Sequence, residues 1–540
     1  MQGNALGNVA LDCGWLKRDE AKRTGSVMQR TRTATADRAL IGAIAAVPFI
    51  LHLLTNTRYG YFRDEFYYIA CSQHLDWGYV DHPPLSIALL ALERWLLGDS
   101  LPAIRFLPAV AGATLVFLTA MMARELGGGR CAQALAALAV AVAPIYLGLD
   151  SFFSMNAFEP LFWTAAAYVL IRIVNTENSK LWLLFGVVAG LGLQNKHSMV
   201  FFGFGVVVAL LLTRERKRLL DNWLWLGAGT AVLIFLPNVV WEITHNWATV
   251  EFMRNAQGYK IAPLSPIEFV TQQVLMLHPL ALPIWFAGLC YFFSRDGRRY
   301  RFCGWMYVVL LAVFMAENAK AYYLTPIYPL LLAAGALAIE GIAERANWRW
   351  LRVAAPCALV IGGIATAPLA LPVLPVEALI RYQRLLGGEG GVKRTTSETA
   401  TLGALPQYFA DMFGWDEVVS AVARAYESLS PEERDKAAIF VSNYGEAGAI
   451  NFLGKSHRLP EAISGHNNYW LWGPGTYSGE VVIVLGYALE DLKPMFDSVE
   501  QAGTVHCEYC MPFENDRPVY ICRGLKQPLR EIWPRLKHYI

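Results

Sequence analysis

Of 540 residues, 55% are hydrophobic and only 17% are charged, with 46 Lys and Arg against 44 Asp and Glu for a formal net charge of +2. This composition excludes an ordinary soluble globular chain, and the near-neutral balance gives no footprint for a nucleic-acid partner. The chain reads as an α-helical polytopic membrane protein. Residues 1–37 are polar and read as a disordered cytoplasmic extension without a signal peptide, in which Met28 is a plausible true start. Predominantly apolar stretches long enough for a bilayer core of about 30 Å then recur at 39–56, 103–123, 131–149, 155–173, 181–194, 198–213, 222–241, 274–294, 302–317, 321–340 and 353–372. They amount to about eleven transmembrane helices in a domain spanning 38–375, with outer loops at 57–102 and 242–273.

Basic residues orient the bundle. "RERKR" (214–218), "RDGRRYR" (295–301), "ERANWRWLR" (344–352) and the Lys/Arg-rich stretch 17–38 all fall on one side under this count. The positive-inside rule makes that side cytoplasmic. The carboxyl terminus then lies outside.

Polar residues near the spans collect at the opposite side. They are the acidic and aromatic first loop "YFRDEFYYIACSQHLDWGYVDHPPL" (61–85), then Asp150, Asn156 and Glu159, then Asn195, Lys196 and His197, then Glu242 and His245, and finally Glu317 and Lys320. Ionisable groups at the edge of lipid are costly, and their one-sided convergence points to a site with carboxylates for proton transfer and cations for an anionic group. No metal-ligand motif accompanies them, and no cofactor is expected.

After residue 376 the pattern changes. Short β-rich runs at 437–443, 479–487, 503–510 and 518–524 alternate with helical stretches such as 489–499, giving a periplasmic α/β domain over 376–540. Two loop-like stretches, "YGEAGAINFLG" (444–454) and "SGHNNYWLWGPG" (464–475), carry Tyr444, Glu446, His466, Asn467, Asn468, Tyr469, Trp470 and Trp472. Aromatic faces beside amides suit sugar recognition, and they equally suit a packing plug that holds the domain to the membrane part. Cys507, Cys510 and Cys522 favour a disulfide over a zinc site, with the pairing open among the three.

The acidic pair followed by "YYIACSQHLDWGYVDHPPL", together with "GLGLQNKHS", "PNVVWEITHNW" and "AENAKAYYLTPIYPLLLAAGALA", resembles the family 39 glycosyltransferases of the polytopic C type. These are bacterial relatives of protein O-mannosyltransferases and of the lipid A aminoarabinose transferase. The resemblance covers roughly residues 38–372 and implies the C-type glycosyltransferase fold. It also implies a polyprenyl-phosphate sugar donor, an envelope acceptor (lipid, protein or glycan) and one inverting displacement at the anomeric carbon. Asp64 matches the catalytic carboxylate, and Glu65 supports it by holding the loop through Arg63 or the backbone. Lys196, Lys320, His82 and Arg63 are candidates for the donor phosphate. Asp81, Asn156, Glu159, Tyr322, Tyr323, His245, Trp470 and Trp472 are candidates for substrate contact. The sequence departs from the family where Asp81–His82–Pro83–Pro84 replaces an acidic-Lys-Pro-Pro turn, and where Asn156 stands for a frequent Asp. The alternative is a transporter or flippase of a lipid-linked glycan, which should show interrupted helices in repeated halves.

Overall fold

The computed structural model describes residues 38–259, 263–391 and 401–540. The amino-terminal extension expected over 1–37 lies outside the described residues. Among the described residues, seven helices are long and apolar enough to cross a membrane: Arg38–Thr55, Leu101–Glu125, Met155–Thr176, Asn222–Thr244, Arg298–Ala316, Ala321–Arg345 and Leu351–Ala370. Three of the other expected spans are shorter apolar helices, Arg130–Ala141, Leu181–Asn195 and Met199–Leu211, and the remaining one is the pair Pro266–Met276 and Pro279–Phe293, bent by 93°. The apolar stretches therefore sit where hydropathy places them, in a multi-pass membrane architecture, but four of them are not simple full-length spans. The stretch 131–149 breaks before Pro144, which opens a second short helix, Pro144–Leu149. The bend near 277 is made at His278, whose φ of 57° no helix continues.

Helices without a hydrophobic drive between them approach closely through small residues. Gly186 and Gly227 meet in this way: a Cβ on Gly186 would stand 2.1 Å from the Gly227 carbonyl oxygen, so the helices Leu181–Asn195 and Asn222–Thr244 touch backbone to backbone.

The carboxyl-terminal region folds on a five-stranded sheet of order β2-β1-β3-β5-β4. Its strands are β1 (Ala437–Val441), β2 (Ala462–Ser464), β3 (Val481–Leu485), β4 (Phe496–Val505) and β5 (Arg517–Leu525). Strands β2, β1 and β3 are parallel, while β5 and β4 add antiparallel. The helical reading of 489–499 is corrected here. Only Leu489–Leu492 is helical, because the segment from Phe496 pairs along β5 and takes its conformation from that ladder.

Alternation along β1 turns Ala437, Ile439 and Val441 to one face of the sheet, where the helices Trp415–Glu427 and Tyr444–Leu453 cover them. The same apolar cluster runs on into Phe66, Tyr67 and Ile69 of the first-loop helix Arg63–Gln73. The crossing of Arg63–Gln73 with Tyr444–Leu453 is tight, since a Cβ on Gly448 would stand 2.8 Å from the Phe66 carbonyl carbon. The sheet domain is thus packed onto the first loop through a shared core.

The short loops on the basic side knit together at one end of the bundle. Arg218 pairs with Glu177, Tyr300 donates to Asn175, and Glu340 accepts from the Gly129 amide. The polar loops and the sheet domain occupy the other end.

Candidate active site

The first turn of Arg63–Gln73 puts two adjacent acids on different sides of a helix. Glu65 faces inward and is fully buried. Its carboxylate takes Nε and Nη2 of Arg105 at 2.8 and 2.7 Å, and the amides of Phe62 and Phe153 at 2.8 and 2.9 Å. Arg105 also donates to the carbonyls of Asn56 and Gly60, both at 2.9 Å. Every lone pair of Glu65 is thereby used. Of the two anchors expected, Arg63 or the backbone, the backbone takes part through the Phe62 and Phe153 amides, while Arg105 stands where Arg63 was expected, and Glu65 has no oxygen left for chemistry.

Asp64 meets the sheet domain instead and keeps 31% of its side chain exposed. Its Oδ1 accepts the Tyr444 hydroxyl at 2.8 Å. Burial, and after it the charge of Asp64, pushes the Tyr444 phenol well above its ordinary pKa, so it stays protonated and donates. Tyr444 stacks on Tyr67 with centroids 4.6 Å apart. Tyr67 in turn lies 2.9 Å from Asp81 Oδ1 and 3.0 Å from Asn468 Oδ1. Two stacked tyrosines thus each hold one aspartate, one ring coming from the sheet domain and the other from the first loop. Burial raises the Asp81 carboxyl above the usual range, with the neighbouring Asp64 charge adding to the shift.

Arg63 does not reach outward as a free cation. It lies 3.8 Å from both Asp64 and Asp411, and its guanidinium stands 5.6 Å over the Tyr444 ring. His82 is corrected as a phosphate contact. It is fully buried, stacked on Tyr68 at 4.6 Å, with Nε2 3.8 Å from Asp81. The proline turn of 83–84 draws it inward against the tyrosines, where it backs Asp81.

The second group forms where Leu181–Asn195 ends. Lys196 leaves the helix in extended conformation and turns inward, its ammonium 2.8 Å from Asn156 Oδ1 and 2.5 Å from Glu159 Oε2. It also stands 5.4 and 4.8 Å over the rings of Tyr322 and Tyr323, on the 3-10 segment that Lys320 precedes. Ser198 donates to the other oxygen of Glu159. Five of the expected residues, Lys196, Asn156, Glu159, Tyr322 and Tyr323, therefore meet. This group abuts the first loop through the Met155 amide, which donates to Tyr68 at 3.3 Å, and through Asn238, which donates to the Trp77 carbonyl at 2.9 Å.

His245 lies elsewhere: it stacks on Trp241 at 4.1 Å, with Nδ1 2.9 Å from the Trp241 carbonyl, closing the end of its own helix. The sugar-binding reading of Trp470 and Trp472 is likewise corrected in favour of the plug. Trp472 stacks on His74 of the first loop at 4.3 Å, and Trp470 and Trp533 each donate an indole N–H to the other's carbonyl, at 3.0 and 2.9 Å. Both indoles take part in this packing and stay half-buried. Arg105, missed from the sequence, carried one signal: a lone arginine inside the otherwise apolar run that opens a span.

Comparison with known proteins bears on this arrangement. Residues 81–241 match the family described as dolichyl-phosphate-mannose-protein mannosyltransferase. The chain is 27% identical over 277 residues to the lipid A galacturonosyltransferase RgtD of Rhizobium johnstonii, covering 48% of this chain and 56% of that one. It is 29% identical over 167 residues to a polyprenol-phosphate-mannose–protein mannosyltransferase of Corynebacterium glutamicum, covering 26% of this chain and 32% of that one. The chain thus spans about half, or less, of the length of the curated relatives it matches. The crystal structure of ArnT from Cupriavidus metallidurans bound to undecaprenyl phosphate superposes with a TM-score of 0.57 at 14% identity, over 89% of this chain and 97% of that one. That likeness shows the fold alone, the multi-pass helical architecture of that structure over nearly the whole of both chains.

Proposed function

We propose that this protein is an inverting glycosyltransferase that moves a sugar from a polyprenyl-phosphate donor to an envelope acceptor (lipid, protein or glycan) at the outer face of a bacterial inner membrane. The observation that carries the reading is Asp64: a part-exposed carboxylate fixed by Tyr444, beside Asp81, at the end of the bundle where Lys196 and its partners converge. The matched family and both relatives are named as transferases. A transporter or flippase draws no such support.

In the proposed reaction the acceptor oxygen bonds to the anomeric carbon as the bond from that carbon to the phosphate oxygen breaks. Asp64 accepts the acceptor's proton, and polyprenyl phosphate leaves with its added charge beside Lys196 and Lys320. Cations placed there count for more in the transition state than in the ground state, because the phosphate gains charge as it departs. Lys196 is neutralised by Glu159 in this structure, so a phosphate binds by taking over part of that ion pair. The basic loops gathered at the opposite end support a cytoplasmic location for that end, and an outer location for the sheet domain.

The test uses the full chain in detergent, with a panel of polyprenyl-phosphate sugars and native envelope extract as acceptor source. Wild type should release free polyprenyl phosphate, and folded Asp64→Asn should lose at least about a hundredfold in rate. Release by Asp64→Asn at the wild-type rate would remove Asp64 from the mechanism. Donor that crosses vesicles uncleaved would favour transport.

A further inference from the structure

Cys507 and Cys510 lie in the loop that joins β4 to β5, and the turn brings their side chains to one point. The Cys510 amide donates to Cys507 Sγ at 3.2 Å, and the Cys510 thiol donates to the Cys507 carbonyl at 3.3 Å. Both side chains face Gly414: a Cβ there would stand 3.1 Å from Cys507 Sγ and 3.1 Å from Cys510 Cβ. Gly414 has φ of 93°, so the close approach and the left-handed backbone both require glycine. Cys522 belongs to a different place. It lies in β5 opposite Val482 and packs with Ala438, Val484 and Phe496 in a separate apolar cluster.

The turn that receives the two cysteines also holds the helix carrying Asp64. The Asp411 carbonyl accepts the Arg63 amide at 2.9 Å and the Trp415 indole at 3.0 Å, and Trp415 packs edge-on against Phe66 at 5.5 Å. On the loop side, Tyr509 meets Phe413 at 6.1 Å and Met511 is buried with Phe62, Phe409 and Met412. We propose that Cys507 and Cys510 are a thiol–disulfide site, oxidised by exchange with a protein or small-molecule disulfide, and that the bond locks the 411–415 turn against the helix bearing Asp64.

The chemistry balances in two steps. The Cys507 thiolate attacks one sulfur of the incoming disulfide, whose S–S bond breaks and releases one thiol. Cys510 then loses its proton and attacks the Cys507 sulfur of the mixed disulfide, releasing the second thiol. The two cysteines are oxidised by two electrons in all, and the incoming disulfide is reduced to two thiols that carry the protons. The site is asymmetric in the sense this order needs. A hydrogen bond between the two side chains holds the Cys507 thiol down to about 7, whereas the same bond, and after it burial, pushes Cys510 up. The inference stands apart from the transferase reading, because it concerns sulfur chemistry that Asp64 does not enter.

The test is thiol trapping of the native full-length protein. Cells are acid-quenched and alkylated with N-ethylmaleimide, and the peptide holding both cysteines is weighed. An unalkylated peptide two hydrogens lighter than the dithiol supports the site, and the same result in Asp64→Asn shows its independence. A peptide with both cysteines alkylated overturns it, as does one joining either cysteine to Cys522. With oxidised glutathione and reduced purified protein, Cys510→Ser should accumulate the glutathione adduct at Cys507 at least about tenfold faster than Cys507→Ser accumulates one at Cys510. Equal rates would overturn the assigned order of attack. Amide exchange across 411–415 should be about tenfold slower in oxidised than in reduced protein, and equal exchange would remove the lock.

Discussion

The two ends of the helical bundle place their charges differently. At the basic end Arg345 and Asp296 pair in the open, their side chains 76% and 54% exposed, although Arg218, held by Glu177 and Glu215, is 9% exposed there. At the other end two pairs are enclosed: Arg105 with Glu65 are almost fully buried, and Lys196 with Glu159 are nearly so. An exposed pair gains little and costs little, whereas each enclosed charge depends on its partner to offset lost hydration. The difference separates charges that set orientation from charges that build a site. Within the second group it separates Glu65, which is fully satisfied, from Asp64, which is not.

The sharpest way to break this comparison is to remove one enclosed partner. Arg105→Met leaves Glu65 buried with an uncompensated charge and strips two carbonyls of a donor, so a loss of about 3–5 kcal/mol is expected. Thermal unfolding in detergent should show a collapse in yield or midpoint, with partial recovery in Glu65→Gln/Arg105→Met. Arg345→Met at the open end should leave the midpoint where it is. Equal shifts from both variants would mean the two ends do not differ.

The Lys196 group gives the next largest effect. Lys196→Met should raise the KM for a polyprenyl-phosphate sugar by about ten- to a hundredfold, the scale of a lost charged hydrogen bond. Glu159→Gln removes the competing carboxylate and should not weaken donor binding. Were Glu159→Gln to lose as much as Lys196→Met, the pair would be a structural strut like that of Glu65 and Arg105.

Enclosure continues into the sheet domain at Glu446, which caps the helix carrying Tyr444 by accepting from the Ser442 amide at 2.9 Å and the Asn443 amide at 3.3 Å. Burial, and then the charge of Glu514, pushes the Glu446 carboxyl well above its ordinary 4.5. The folded state therefore keeps a proton that the unfolded chain has lost once the pH exceeds about 4.5. Unfolding releases that proton, so this contribution to stability falls as pH rises from about 4.5 toward the raised value, by about 1.4 kcal/mol per unit. The unfolding midpoint of wild type should drop more steeply as pH rises above about 5 than that of Glu446→Gln. Parallel slopes would show that Glu446 is not held protonated.

Much of this was legible in the sequence because it rests on local, repeated signals. Hydropathy located the apolar helices, and the loop charges marked two unlike ends. Asn156, Glu159 and Lys196 stood out as polar residues on one side, the first two for substrate and the lysine for the donor phosphate, but that they pair with one another was not foreseen. Three kinds of feature were not legible. A helix of 12 or 13 residues, such as Arg130–Ala141 or Met199–Leu211, has the hydropathy of a span without its length, and only packing decides its end. The burial of Glu65 and His82 depends on partners 40 residues away or on other turns, which no window sees. The roles of Trp470 and Trp472 turn on what lies across a domain seam, and the sequence supports plug and sugar platform alike.

The same seam gives the smallest but most diagnostic prediction. Tyr444 comes from the sheet domain yet donates to Asp64, so the domain supplies part of the geometry of the proposed base. Removing the buried Tyr444 hydroxyl, whose acceptor Asp64 is part-exposed, forfeits about 1 kcal/mol, which corresponds to up to about tenfold in transfer rate. The ring still stacks on Tyr67 and still lies under Arg63, so Tyr444→Phe should fold with an unchanged unfolding midpoint. A fall in kcat with an unchanged KM for the donor would place the effect on Asp64 itself, since the lysine group that meets the phosphate is untouched. A rate equal to wild type would mean that Asp64 holds its position through the helix alone, and that the sheet domain contributes packing to the site but no chemistry.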